Sequence, residues 1–290
     1  MMKGIEGLDK LRKRLTGSNV EPSKDLFSAS RQPERATRSL PARAGQKVIY
    51  LKDRDYYMLE KDLILRNPLR RMGQETEDIL PEGGFGAVLA RAGVGKTAFL
   101  VQLALNSMLK SKNVVHISLD DPVKKVCLWY EEVVRNIADQ YHVKQMDQLW
   151  EAILQHRFVM TFKVESFSVP KLEERLTDLT EQGIFYPQMI LIDGLPVDET
   201  AGQSLSDLKT LAKESSIPVW FALRTHRHEE PGADGMPPQL SAFAHLFEVV
   251  IQLQPVEKEI HVKALKGVAA PSGHPSLLLD PSTMLVKDKE

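Results

Sequence analysis

The chain has one cysteine, Cys127, among 290 residues, which excludes a disulfide within it. Cys127 falls in an amphipathic helical pattern, where a buried, inert thiol is expected rather than a reactive one. Long apolar runs are missing too. None approaches the roughly 18 residues of a membrane-spanning helix, so no membrane partner is expected. The first residues are charged from Lys3 onward and lack the apolar stretch of a secretory signal, so the expected compartment is cytoplasmic. No internal repeat is found, which sets repeat architectures aside. Nor is there an excess of charge of either sign. The net charge is −1, which decides nothing about binding DNA.

That near-neutrality hides an asymmetry. Residues 1–47 hold eleven Lys/Arg against five Asp/Glu, whereas residues 48–290 hold 27 against 34. The basic stretch is rich in Ser, Pro, Arg and Ala. It is expected to be a flexible N-terminal arm, with contact to nucleic acid, an acidic partner or a neighbouring copy as the alternative. Within it, Ile5, Leu8, Leu11 and Leu15 have the spacing of a short amphipathic helix. Residues 48–82 regain order with Val48-Ile49-Tyr50-Leu51 and a Tyr/Leu-rich helical stretch ending near Pro68, and are expected to pack on the core.

From residue 83 to 290 the expected fold class is α/β. Apolar runs at 84–90, 114–119, 158–164, 188–193 and 217–223 alternate with helical patterns at 97–110, 122–140, 145–156, 170–182 and 204–215. Such alternation predicts a mostly parallel central sheet flanked by helices. After a polar loop at 226–239 come Val249 to Leu253, Ile260 to Leu265 and Ser276 to Leu279. Their short connections predict C-terminal antiparallel strands that complete the sheet. The Trp129-Tyr130 pair is expected to pack on helix 122–140 rather than to stack a base.

The most informative stretch is Ala90-Arg91-Ala92-Gly93-Val94-Gly95-Lys96-Thr97. It follows a predicted strand, opens a predicted helix and fits the phosphate-binding loop pattern, with Ala90 where a first glycine is usual. Glycines at 93 and 95 let backbone N–H groups curl around phosphate oxygens, and the following helix directs its positive end at the same anion. Residues Arg91, Ala92, Gly93, Val94, Gly95, Lys96, Thr97 and Ala98 are thus expected to surround a nucleotide. Lys96 supplies charge to the β- and γ-phosphates and Thr97 a hydroxyl to Mg²⁺. An ordinary glycine-rich turn is the alternative. About ninety residues on, Met189-Ile190-Leu191-Ile192-Asp193 is a strand ending in a carboxylate. It would deliver Asp193 to the sheet edge where open α/β sheets bind ligands, opposite Thr97 and on the same Mg²⁺. ATP and Mg²⁺ are the expected ligands.

The order of these elements over about 83–287 resembles the RecA-like P-loop ATPase superfamily, especially its KaiC-like branch and the ATPase domains of replicative ring helicases. The phosphate loop and Leu191-Ile192-Asp193-Gly194-Leu195 carry part of the resemblance. Val115 to Pro122 is similar to a strand ending in Ser-Leu-Glu in that family. Lys263 to Gly273, following the strand Phe247 to Leu253, looks like its Lys-x-Arg-Asn-Gly-Pro-Thr-Gly turn. The resemblance implies a catalytic carboxylate at Asp120, where the family has glutamate. Capping of the helix from Pro122 by Asp120 and Asp121 is the other role open to that pair. Arg224 stands where the family often has a polar sensor, commonly glutamine. It is a candidate for the γ-phosphate, or for pairing with an acidic neighbour. Lys266 matches a lysine that reaches the neighbouring subunit's nucleotide, a solvated surface lysine being the alternative, while Val268 replaces the family's arginine. Lys263 can compensate only if strand alternation points it there.

Two weaker features remain. His226-Arg227-His228-Glu229-Glu230 is only superficially metal-like. The loop 226–239 sits where relatives contact substrate or DNA, yet it lacks the aromatic and basic character of a single-strand binder. The resemblance therefore implies an ATP·Mg²⁺-binding protein and slow ATPase. Its nucleotide state would control homo-oligomer assembly or a protein partner, with Asp120, Arg224 and Lys266 as catalytic candidates. A non-catalytic ATP-binding module and a DNA-acting recombination or helicase-type ATPase are the alternatives.

Overall fold

The computed structural model describes residues 53–67, 69, 72, 79–143, 145–198, 201–225, 232, 236–268 and 276–289. The basic arm with its expected helix, Val48-Ile49-Tyr50-Leu51, most of the polar loop with His226 to Glu230, and Ala269 to Gly273 lie outside the described residues. The described part is α/β, built on one nine-stranded sheet. After α1 (Asp53–Arg66), β1 (Phe85–Ala90) leads into α2 (Lys96–Met108). Next, β2 (Val114–Ser118) leads into α3 (Val123–Tyr141) and α4 (Met146–Leu154). A 3-10 turn at Val164–Ser166 joins β3 (Arg157–Thr161) to α5 (Val169–Glu181). Then β4 (Met189–Asp193) leads to α6 (Gly202–Ser215), and β5 (Val219–Arg224) to α7 (Pro238–Ser241). The chain closes with β6 (Val249–Val256), β7 (Glu259–Lys266), β8 (Leu277–Leu279) and β9 (Val286–Asp288).

The strands lie in the order β3-β2-β4-β5-β1-β6-β7-β8-β9. The first six are parallel and β7, β8 and β9 are antiparallel. Strand alternation divides the interior into two cores. Val88 and Ala90 of β1 join Leu191, Trp220 and Ile251 on the face packed by α2 and α3. Phe85, Ala87 and Leu89 join Ile192, Phe221 and Val250 on the face packed by α5 and α6. With both faces covered, β1 is buried at every position, which is why it reads as an unbroken apolar run. Leu63 of α1 and, beyond it, Leu69 and Leu80 are buried in the first core. Tyr130 is fully buried there and Trp129 packs beside it.

Three local differences from expectation have physical causes. The apolar run 158–164 predicts a longer strand, but β3 ends at Thr161. Phe162 N still donates to Ser118 O at 3.1 Å, but that is the last bond to β2, and the Phe162 ring meets Phe167 edge-on at 5.5 Å across the 3-10 turn. Within the expected polar loop 226–239, Met236 and Pro237 are buried and lead into α7. Lastly, β9 follows a tight turn built by Asp280. Its Oδ1 accepts from Ser282 N at 2.8 Å and from Thr283 N at 3.4 Å, and Lys287 Nζ lies 2.8 Å from Oδ2. The Lys287 and Ser282 hydrogen bonds hold the Asp280 carboxyl below its ordinary range. The resulting hairpin packs against α2. Gln102 donates to Met284 O at 2.8 Å and accepts from Val286 N at 2.8 Å.

No helix among the described residues is long and apolar enough to cross a membrane.

Candidate functional site

Parallel pairing brings the C-terminal ends of four strands to one sheet edge. Ala90 is level with Arg224, Ala222 with Asp193, and Asp193 with Ser118. The loop after β1 therefore faces the end of β4, with β5 between them. A cavity of about 660 Å³ opens there, lined among others by Gly93, Lys96, Thr97, Asp120, Asp193 and Arg224. That volume lies within the roughly 300–1,000 Å³ range of small-molecule sites.

The loop has the backbone of an anion cradle. Gly93 and Gly95 adopt positive φ of 77° and 106°, and Gly95 caps α2 with no side chain filling the capping position. No acidic residue occupies the first turn of α2, so nothing within the helix offsets the positive end of its dipole. A Cβ on Gly93 would meet nothing within 4 Å, so the loop's inner side is open. On Gly95, by contrast, a Cβ would lie 2.8 Å from Leu279 Cδ2 and 3.1 Å from Met284 Sδ. The C-terminal hairpin is thus the floor of the loop.

Lys96 Nζ donates to Ala90 O at 3.1 Å and Arg91 O at 3.0 Å. Burial lowers its pKa, the Asp193 and Asp120 charges oppose that, and Arg224 adds to it. Thr97 Oγ1 donates to Asp193 Oδ2 at 2.6 Å, across 96 positions of sequence. Burial raises the Asp193 pKa. The Thr97 bond and Lys96 pull it down, while Asp121 and Asp120 push it up. A hydroxyl and a carboxylate in contact are the hard oxygen donors that Mg²⁺ takes alongside substrate phosphates and water. Among the described residues no group of three or more His, Cys, Asp or Glu could hold a metal ion.

The Asp120-Asp121 pair does not cap α3. Pro122 occupies the capping position and no side chain caps the helix. Asp121 instead pairs with Lys125 at 2.8 Å across the first turn, and its N–H donates to Ser118 Oγ at 2.9 Å. That bond to Asp121 raises the Lys125 pKa. Asp120 is exposed, lines the cavity and makes no ion pair among the described residues. Arg224 likewise lines the cavity and is exposed, with no acidic partner among the described residues.

Lys266 is not in this cavity. It is level with Val250, near the start of β1, on the opposite sheet edge, and its Nζ donates to Ala244 O at 2.7 Å. Lys263 is exposed on β7, and Val268 packs against the first core. Cys127 is half-buried rather than buried, and Arg157 Nη2 of the edge strand β3 donates to its Sγ at 3.5 Å.

Sequence reasoning gave no role to Lys125, Ser118 or Gly194. The four-residue spacing from Asp121 signals the Lys125 pair. The contact of Gly194 with Asp120 crosses from β4 to β2 and has no local signature. No protein-family model matches the chain, and no characterised protein matches it.

Proposed function

We propose that the chain is a RecA-like P-loop ATPase of the KaiC-like kind that binds ATP with Mg²⁺ and hydrolyses it slowly. The observation that carries this is the Thr97–Asp193 contact, made in the wall of the cavity that the loop of Gly93 to Lys96 also lines. The free N–H groups at the start of α2 bind the phosphates, and Lys96 leaves the carbonyls of Ala90 and Arg91 to meet them. Thr97 and Asp193 would hold Mg²⁺, which would supply charge neutralisation to the triphosphate. Arg224, free of an acidic partner among the described residues, stabilises charge on the γ-phosphoryl group. Asp120 accepts a proton from the attacking water as the water oxygen bonds to the γ-phosphorus. The β–γ bridging oxygen leaves with its bonding pair on ADP, and inorganic phosphate departs.

Replacing Lys96 removes the mobile charge while leaving the backbone cradle. The expected outcome for Lys96→Ala is loss of Mg·ATP affinity in a calorimetric titration. Unchanged affinity refutes the assignment.

Assembly is part of the same proposal. Lys266, on the edge away from its own cavity, meets a phosphate only across an interface with a second copy, so turnover and particle size are expected to depend on each other. Light scattering with and without Mg·ATP tests this. An unchanged monomer at concentrations where turnover is measurable removes Lys266 from catalysis and with it the nucleotide-controlled homo-oligomer.

A further inference from the structure

We propose that Gly194 is a positioning residue, holding Asp120 where an aspartate can take the role for which related sites use the longer glutamate. The proposal rests on the ATPase reading above. Ser118 at the end of β2 is level with Asp193 at the end of β4, and Leu119 N donates to Asp193 O at 2.9 Å. The ladder therefore runs one residue past β2, and the residue after that, Asp120, meets Gly194, the first residue after β4. Gly194 has φ of 89°. A Cβ there would lie 2.7 Å from Asp120 Oδ2, 2.8 Å from its Cγ and 3.2 Å from its backbone N. The carboxylate thus rests in the space that any other residue's side chain would take, directly beside the Thr97–Asp193 pair.

The turn is fastened from the other side as well. Asp121 N donates to Ser118 Oγ at 2.9 Å, and the Ser118 side chain is buried, so the Leu119–Asp121 backbone cannot swing outward without breaking that bond. An aspartate is one methylene shorter than glutamate. Here the Asp120 backbone lies close against Gly194 at the end of β4, an approach that a side chain at residue 194 would obstruct. Because two of the three close atoms belong to the carboxyl group, a methyl at residue 194 displaces Asp120 before it disturbs either core.

The test measures ATP affinity by titration and phosphate release at saturating Mg·ATP for the wild-type chain, Gly194→Ala, Asp120→Asn and the double variant. A displacement on the order of 1 Å costs on the order of 10²-fold in rate. The expected result is a kcat loss of that order for Gly194→Ala with ATP affinity and apparent KM preserved. Asp120→Asn should then add little in the Gly194→Ala background, because the carboxylate is already out of place. Independent, multiplying losses overturn the proposal, as does wild-type turnover in Gly194→Ala. Ser118→Ala, which keeps glycine at 194 and loosens the turn, is expected to lower kcat with affinity intact, and unchanged kcat counts against the proposal. If Gly194→Ala does not fold, this variant decides alone. Absence of turnover in a wild-type chain that binds ATP overturns the positioning role and the hydrolytic function together. Wild-type turnover that Gly194→Ala retains overturns the positioning role alone.

Discussion

Replacing Asp193 by asparagine should separate the protein's stability from its ligand binding, with opposite signs. In the ligand-free protein the Asp193 carboxyl is mostly buried, and burial is the leading cause of its raised pKa. A carboxyl whose folded pKa lies above its unfolded value contributes stability below the unfolded pKa, and that contribution is lost as pH rises through the folded pKa. Near pH 7 the ionised Asp193 is therefore a net cost to the fold. The amide of Asp193→Asn removes the charge and still accepts the Thr97 hydroxyl, now as a neutral bond worth about 1 kcal/mol. The ligand-free variant should melt no lower than wild type.

With ligand the order reverses. At a free Mg·ATP concentration one hundred times Kd, binding stabilises the wild-type chain by about 2.7 kcal/mol. At roughly 2–4 °C per kcal/mol for a domain of this size, the midpoint should rise by about 5–11 °C. The variant should lose the part of that rise that chelation removes from wild type. Thermal scans without ligand, with ATP and chelator, and with Mg·ATP separate the three states. A variant that melts below wild type without ligand, or that keeps the full magnesium-dependent rise, refutes the reasoning.

Two further outcomes follow from burial and strain. His116 is wholly buried against Tyr130, and burial followed by the Arg157 charge pushes its pKa down to about 3. Its neutral form is held in the fold, so stability is present above the unfolded pKa and lost as pH falls below it. From pH 6.5, where half of the unfolded imidazole is already protonated, to pH 5 the integrated loss is about 1.6 kcal/mol, absent in His116→Gln. Urea unfolding at both pH values checks this, and parallel losses in the two proteins contradict it. Gly95→Ala combines an unfavourable φ of 106° with contact on Leu279 and Met284 and should cost about 2–3 kcal/mol. Gly93→Ala, in open space, should carry only the backbone part. Equal losses by urea unfolding would show that the hairpin does not support the loop.

Much of this was legible in the sequence because the strands are short, apolar and interrupted by strong signals. The turn from β1 into α2 is marked by Gly95-Lys96-Thr97, and the observed helix begins within a residue of the expected one. The carboxylate ending β4 was legible because four buried residues precede it. In contrast, β9 has only three residues, too few for a period to register. The end of β3 was hidden because Phe162 and Val164 are as apolar as the strand, although both lie beyond it. Asp120 could be picked out by type and place, but its fate depends on Gly194, a residue 74 positions later that only the parallel ladder brings beside it.

The Gln102 bridge to Met284 and Val286 bears on how the protein comes into being. During synthesis the loop between β1 and α2 is complete as a string of residues by Thr97, yet its underside stays bare until Val286 has left the ribosome. A stalled or clipped product that ends short of the hairpin carries the loop without the contacts that lie beneath it.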